Sequence, residues 1–359
     1  MKELIELTKS LIRYPSVHGR PDKIHACADF IEDYLKSSGI VFQKFIFNNI
    51  PSILVLPENQ FAPVVLMSHF DVVDGPDRLF SPWEENGCLY GRGSIDDKYA
   101  VALSLVLLKN HIERLGSSGN NRNALPFGIL LTGDEEIGGP NGAQKILHEF
   151  KTDFCIALDG GGIQKIVIKE KGILRLKLIT RGKTAHGARP WLGENAIERL
   201  IEDYQRLKAF FDFSAPDHWH RTLNFSVMHA GSVINQVPDY AEALFDIRYT
   251  ETDDIDALVK AVRETIQGEV QVVSTSPMFL GGNSPYLDKL LSFTPSTQLG
   301  CEHGASDARH LADHGIPGIV WGADGDMSQH SEDEHIHIDS FISLYNILDQ
   351  FLSAIGTTT

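Results

Sequence analysis

Residues 64–75 read VVLMSHFDVVDG: an apolar run, then His69 and Asp71 two positions apart, then Asp74-Gly75. A short continuous apolar run bounded by turn residues is the pattern of a strand buried on both faces. His69 and Asp71 fall on the same face where it ends. The pattern recurs along the chain. FGILLT (127–132) runs into Gly133-Asp134-Glu135-Glu136-Ile137-Gly138-Gly139, and FCIALD (154–159) ends in Asp159 before three glycines. Between them, Gly91-Arg92-Gly93-Ser94-Ile95-Asp96-Asp97-Lys98 delivers two adjacent carboxylates where a helical pattern begins, and Asp97 suits a helix N-cap. Helical patterns over about 97–115 and near 142–150 alternate with these runs, which is α/β architecture with a parallel or mixed sheet. Such sheets gather functional side chains at the carboxyl ends of their strands.

Outward from this block, Leu4, Ile5, Leu7, Leu11 and Ile12, then Ile24, Ala28, Ile31, Tyr34 and Leu35, recur at helical spacing. After Lys171 the pattern changes. Strands over 173–181, 223–229, 241–249 and 270–274 alternate with helices around 197–207 and 254–266. That β-α-β-β-α-β order is the ferredoxin-like α+β plan. Gly281-Gly282-Asn283-Ser284-Pro285 marks the return to the first layer. The expectation is a discontinuous domain, 1–172 and 283–359, with a smaller domain, 173–282, inserted in it.

At 359 residues the chain is long enough for two domains, and 42% hydrophobic with 22% charged residues is a globular composition. A net charge of −16 repels phosphate backbones and anionic lipid, so neither nucleic acid nor a membrane surface is expected as a partner. The longest apolar stretch, Ala100–Leu108, is far short of the roughly 20 residues that span a bilayer. Cys27, Cys88, Cys155 and Cys301 lack CxxC spacing and read as buried free thiols. The opening MKELIELTKSLIRY has no signal-peptide pattern, so a cytoplasmic protein is expected.

Successive strand ends bearing His, Asp or Glu make a concentrated negative pocket, whose self-repulsion is costly unless cations neutralise it. Two divalent ions sharing one carboxylate need about five nitrogen and oxygen ligands and leave positions open for a water of lowered pKa. The last ligand is sought among His330, His335 and His337, of which His335 and His337 share a face by strand periodicity. Other motifs are absent. His148-Glu149 is not followed by the second His of H-E-x-x-H, there is no Walker loop, and Gly91-x-Gly93 lacks the third Gly of a dinucleotide fingerprint.

Together HFDVV, GRGSIDDK, GDEEIGG, the strand-terminal Asp159, Thr184-Ala185-His186-Gly187, Gly304-Ala305-Ser306-Asp307-Ala308-Arg309 and a late His-x-x-x-Glu resemble the M20 family of dinuclear zinc peptidases and deacylases, over nearly the whole chain. The resemblance implies a mixed-sheet catalytic domain of zinc-peptidase type with an inserted lid or dimerisation domain. It implies two divalent ions, zinc or else cobalt or manganese: His69 and Asp159 on one, Glu136 and His330 on the other, Asp96 bridging. Asp71 would orient His69, and Glu135 would be the general base for a metal-bridging hydroxide. A cis peptide is expected between Asp96 and Asp97. His186 would stabilise the oxyanion, from its own or a partner subunit of a homodimer, and Asn235, Arg248 and Arg309 would contact substrate. His335 and His337 are left to the edge-strand surface or to the surroundings of the metals. The implied reaction is hydrolysis of an amide in a short peptide. An N-acyl-amino-acid deacylase is the alternative, and a catalytically silent amino-acid-binding or scaffold protein is the rival of another class.

Overall fold

The structure, a computed structural model, describes residues 2–57, 60–117 and 125–355. Its chain order is α1 (Lys2–Ile12), α2 (Pro21–Ser37), β1 (Gln43–Phe47), β2 (Ile50–Val55), β3 (Phe61–His69), β4 (Trp83–Glu85), β5 (Cys88–Tyr90), α3 (Lys98–Ser117), β6 (Phe127–Thr132), α4 (Ala143–Ile146), β7 (Lys151–Ala157), β8 (Lys165–Glu170), β9 (Gly172–Arg181), α5 (Ala196–Lys208), β10 (Thr222–Ala230), β11 (Tyr240–Tyr249), α6 (Ile255–Thr265), β12 (Glu269–Ser276), β13 (Phe279–Leu280), α7 (Pro285–Phe293), β14 (Gln298–Glu302), β15 (Gly318–Val320), β16 (His335–His337) and α8 (Ile338–Ile355). Two compact units result: 1–169 with 279–302 and 306–359, and 170–278 with 303–305.

The first unit is built on a nine-stranded mixed sheet of order β1-β2-β6-β3-β7-β15-β8-β13, with β14 paired to β8. β6, β3, β7 and β15 run parallel, so their carboxyl ends lie side by side. Side chains alternate across each strand and feed two cores. Val64, Leu66, Ile129, Leu131 and Ile156 pack with residues of α1, α2, α3, α7 and α8. Val65, Met67, Leu130, Cys155 and Val320 pack with α4 and with Ala308 and Leu311. A sheet covered on both faces needs strands apolar at every position, and that is what VVLM and FGILLT supply.

The apolar run 100–108 lies in α3, whose residues Tyr99–Leu108 are all buried, so it is a core helix hydrophobic all round. Among the described residues, no helix is long and apolar enough to cross a membrane. The helix expected near 142–150 is shorter. After Ile146 the backbone bonds tighten to i→i−3, His148 N to Lys145 O and Glu149 N to Ile146 O, while Leu147 and Phe150 still bury into the core. A separate three-stranded sheet, β16-β5-β4, lies in the same unit.

The second unit follows the expected β-α-β-β-α-β order, with an antiparallel sheet of order β10-β11-β9-β12. Leu174, Leu176 and Leu178 of β9 alternate with polar neighbours and bury against Leu200, Leu207, Val259 and Val262 of α5 and α6. Asn195 and Asp254 cap the two helices through their side-chain oxygens.

Candidate metal centre

His69 ends β3 and its ring is fully committed on one side. Nδ1 lies 3.0 Å from the Asp71 carbonyl and 3.3 Å from the Asp71 carboxylate. A carbonyl accepts only from an N–H, so Nδ1 carries a proton and Nε2 is the nitrogen available to a ligand role. Nε2 is buried without a well-directed hydrogen bond, 3.0 Å from Asp96 Oδ1 and 3.8 Å from Asp159 Oδ2. A buried nitrogen aimed at two carboxylates is a donor set that fits a divalent cation.

The other oxygen of Asp96 faces His330 Nε2 at 3.0 Å, and that nitrogen is 3.2 Å from Glu136 Oε2. Asp96 thus stands between the two imidazoles. Potential ligand atoms fall into two neighbouring clusters, His69 with Glu135 and Asp159, and Asp96 with Glu136 and His330, those of each cluster within 4.8 Å of one another. The peptide bond between Asp96 and Asp97 is cis.

Glu135 and Glu136 lie on one 3-10 turn after β6, held by a single carboxylate. Asp71 Oδ1 accepts from Glu135 N at 3.2 Å and Oδ2 from Glu136 N at 3.1 Å. The same residue therefore orients His69 and sets the turn on which the two glutamates part. Glu136 Oε1 accepts from Val73 N at 3.1 Å. Glu135 Oε1 accepts from Arg309 Nη2 at 3.0 Å. Arg309, expected to meet substrate, is buried, and Asp307 also lies 3.9 Å from it.

The electrostatics follow from crowding. Burial opposes charge on His69, but Asp71 and Asp96 outweigh it and hold the imidazole well above its ordinary value. His330 is pushed up to about 10 by Asp96 and Glu136. Burial opposes ionisation of Asp96, and hydrogen bonding to His330 and His69 overrides it, holding the carboxyl well below the usual range. Burial, then Asp159, pushes Glu135 up, and burial also raises Glu136. Protons on imidazoles and acids here neutralise a cluster that bound cations would neutralise in their place.

Two supports were not read from the sequence. Asp97, expected as a helix cap, instead accepts from the His69 backbone N–H at 3.2 Å. Glu334 is fully buried, pairs with Arg92 and accepts from Gly93 N at 2.8 Å, while Arg92 Nη2 donates to the His330 carbonyl at 3.2 Å. This pair ties the loop bearing Asp96 to the loop bearing His330. The late His-x-x-x-Glu spacing was its only sequence signal. In the second unit, exposed His186 forms a β-bridge with Gln236, and Gly187 N donates to Asn235 O at 2.7 Å. Ala188 N donates to His186 Nδ1 at 3.0 Å, so a neutral ring keeps its proton on Nε2. Arg248 Nε donates to Asp246 at 2.7 Å.

A family model described as peptidase family M20/M25/M40 matches residues 65–354. A succinyl-diaminopimelate desuccinylase of Coxiella burnetii (strain Dugway 5J108-111) is 26% identical, covering 92% of this chain and 93% of that protein. A tripeptidase from Staphylococcus aureus subsp. aureus mu50 superposes with a TM-score of 0.80 at 19% identity, over 99% of this chain and 98% of that one. An M20 family metallo-carboxypeptidase from Sulfolobus solfataricus gives the same TM-score, 0.80, at 19% identity over 99% and 100%.

Proposed function

The chain belongs to peptidase family M20/M25/M40 and is a hydrolase; from that premise we propose that it cleaves an amide bond in short peptides, with Glu135 as general base. The observation that carries this reading is the set of two acid-imidazole clusters meeting at Asp96, with Glu135 beside them. His69, Asp159, Glu136 and His330, with Asp96 shared, would hold two divalent ions, zinc first and cobalt or manganese as alternatives for these ligands. Such ions, when bound, supply Lewis acidity and lower the pKa of water.

The protein's own residues do the rest. Asp71 fixes the His69 ring and the turn carrying both glutamates, so base and ligand keep a constant spacing. Arg309 holds one Glu135 oxygen, which orients the carboxylate. Glu135 takes the proton of the attacking water as the new carbon–oxygen bond forms. It returns that proton to the nitrogen as the carbon–nitrogen bond breaks. His186, presenting Nε2–H, donates to the oxyanion, and Asn235 and Arg248 meet substrate, whereas buried Arg309 acts on substrate through the Glu135 carboxylate it holds. The inserted unit serves as lid and homodimer contact, a reading supported by exposed Phe225, Val227 and Met228 on its edge strand β10. A cytoplasmic location agrees with four cysteines that form no disulfide.

Deacylation of N-acyl amino acids is the second reading, favoured by the desuccinylase likeness along 92% of the chain. Dipeptides, tripeptides and N-acetyl or N-succinyl amino acids offered to the metal-loaded protein separate the two, and cleavage of acylated amino acids alone removes the peptidase assignment. Glu135→Gln should keep both ions by elemental analysis while turnover falls about 10²–10⁴-fold. Equal loss of metal and turnover refutes the base assignment, and a metal-loaded parent that turns over none of these substrates leaves the silent-binder reading standing.

A further inference from the structure

The small sheet β16-β5-β4 carries a second group of ligands that shares no residue with the centre above. β16 pairs with β5 in the register His335↔Tyr90, Ile336↔Leu89, His337↔Cys88. Alternation puts His335 and His337 on one face, and a directly opposed cross-strand residue lies on that face too, so the Cys88 thiol joins them. Cys88 Sγ is 3.4 Å from His337 Nδ1. His337 Nε2 at 3.0 Å and His335 Nε2 at 3.3 Å converge on a single oxygen, Asp326 Oδ2. One ligand atom each from Cys88, His335 and His337 all lie within 4.8 Å of one another.

The His335 ring is preset for coordination. Its Nδ1 sits 2.8 Å from the Asp333 carbonyl and so carries the proton, which turns the Nε2 lone pair of the neutral ring toward the Asp326 carboxylate. A proton or a metal cation between that nitrogen and the carboxylate relieves their repulsion. Tetrahedral zinc, with bonds of about 2.3 Å to sulfur and about 2.0 Å to nitrogen or oxygen, spaces its donor atoms roughly 3.3–3.6 Å apart. The Cys88–His337 Nδ1 contact, at 3.4 Å, already has that spacing, and one ligand atom of His335 lies within 4.8 Å of both residues' ligand atoms.

We propose that Cys88, His335 and His337 form a third metal site, for a divalent ion of zinc type, with Asp326 holding the Nε2 side of the His337 ring. The ligand set is softer than that of the centre above, since a thiolate replaces carboxylates, and binding displaces the thiol proton. Its role is structural. Asp326 and His335 stand at the two ends of the segment that carries His330, already closed by Ser328 Oγ, which accepts from His335 N at 3.0 Å. Asp326, Met327 and His330 all have positive φ, 53°, 55° and 64°, a conformation that the closed ends maintain. An ion on His335 and His337, with Asp326 held by His337 Nε2, clamps the loop. The site stands or falls apart from the hydrolytic reading.

Cobalt separates the sites by their atoms. Thiolate ligation gives a sulfur-to-cobalt charge-transfer band in the near ultraviolet, which oxygen and nitrogen ligands cannot give. The protein is stripped of metal, carried in a Cys301→Ser background to remove the exposed thiol, and titrated with Co²⁺. The expected result is three ions per chain and a thiolate band, falling to two ions with the band lost in Cys88→Ser. His337→Asn, at a half-exposed position where folding is safer, should also lower the content to two. Absence of the band from the parent, or equal metal content in the parent and both variants, overturns the site.

Discussion

Glu334→Ala tests how the two loops of the metal centre are held. The Glu334 side chain is 0% and that of Arg92 3% exposed, so truncation leaves a guanidinium buried without its counter-ion. Breaking such a pair costs about 3–5 kcal/mol. Gly93 N also loses its acceptor, adding roughly 1 kcal/mol. Charge at Glu334 is itself held at a cost: burial, then Asp96, pushes its carboxyl up to about 7 against the pull of Arg92. The double variant Arg92→Met/Glu334→Met therefore recovers most of the loss, since it buries neither charge. It does not recover the tether, because Arg92 no longer holds the His330 carbonyl. Urea unfolding of the metal-free proteins gives the stabilities, and calorimetric titration with Zn²⁺ gives the affinities. Glu334→Ala should lose about 4–6 kcal/mol by these terms. The double variant should unfold near the parent yet bind the ions more weakly. A Glu334→Ala loss under about 1 kcal/mol, or parent-like zinc affinity in the double variant, refutes the reasoning.

Asp71→Asn should weaken metal binding about 10–100-fold, because an amide has one oxygen and its NH2 cannot accept from the second of Glu135 N and Glu136 N, and the carboxylate charge beside His69 is lost; zinc titration reads this directly. His111 in α3, packed edge-on against Phe127 and bonded to Asp349, is lowered to about 4 chiefly by burial and then by Arg114. Between pH 6.5 and about 4 the unfolded chain binds the extra proton, so stability falls as pH drops through that window, by roughly 3 kcal/mol in full. His111→Gln removes that share, seen as a flatter plot of urea midpoint against pH; parallel plots contradict it. Gly139→Ala sets a Cβ 2.1 Å from Asp307 Oδ1 at a φ of +64°, and a thermal melt should show a loss of roughly 1–3 kcal/mol. Chelation should lower the melting temperature of the parent, since ions at a hundred times their dissociation constant stabilise by about 2.7 kcal/mol, and should lower it less in His330→Ala, which lacks one proposed ligand.

The strand-end groups of the candidate centre were legible because a buried parallel strand is apolar throughout, so polar residues after its end stand out: His69, the Glu135-Glu136 pair and Asp159 mark three neighbouring strands. His330 was different. Periodicity pointed to His335 and His337, which do form a strand, whereas His330 lies in a turn with positive φ where no period applies. Only the family resemblance chose it. The hairpin β1–β2 went unread although Asn48-Asn49, both at positive φ, is a turn signal between its strands. The Arg92–Glu334 pair joins residues 242 apart in sequence, and no local pattern encodes such a partner. Helix α4 was overextended because Leu147 and Phe150 keep helical spacing while burying through tighter turns.

The first unit is threaded from three stretches of chain, and the last proposed ligand arrives in the third. A ribosome that has synthesised the entire inserted unit has already delivered His69, Asp96, Glu136 and Asp159, but not His330. A stalled or truncated product therefore carries four of the five ligands and lacks the imidazole that partners Glu136. On the proposed ligand set, hydrolytic competence is deferred until late in translation.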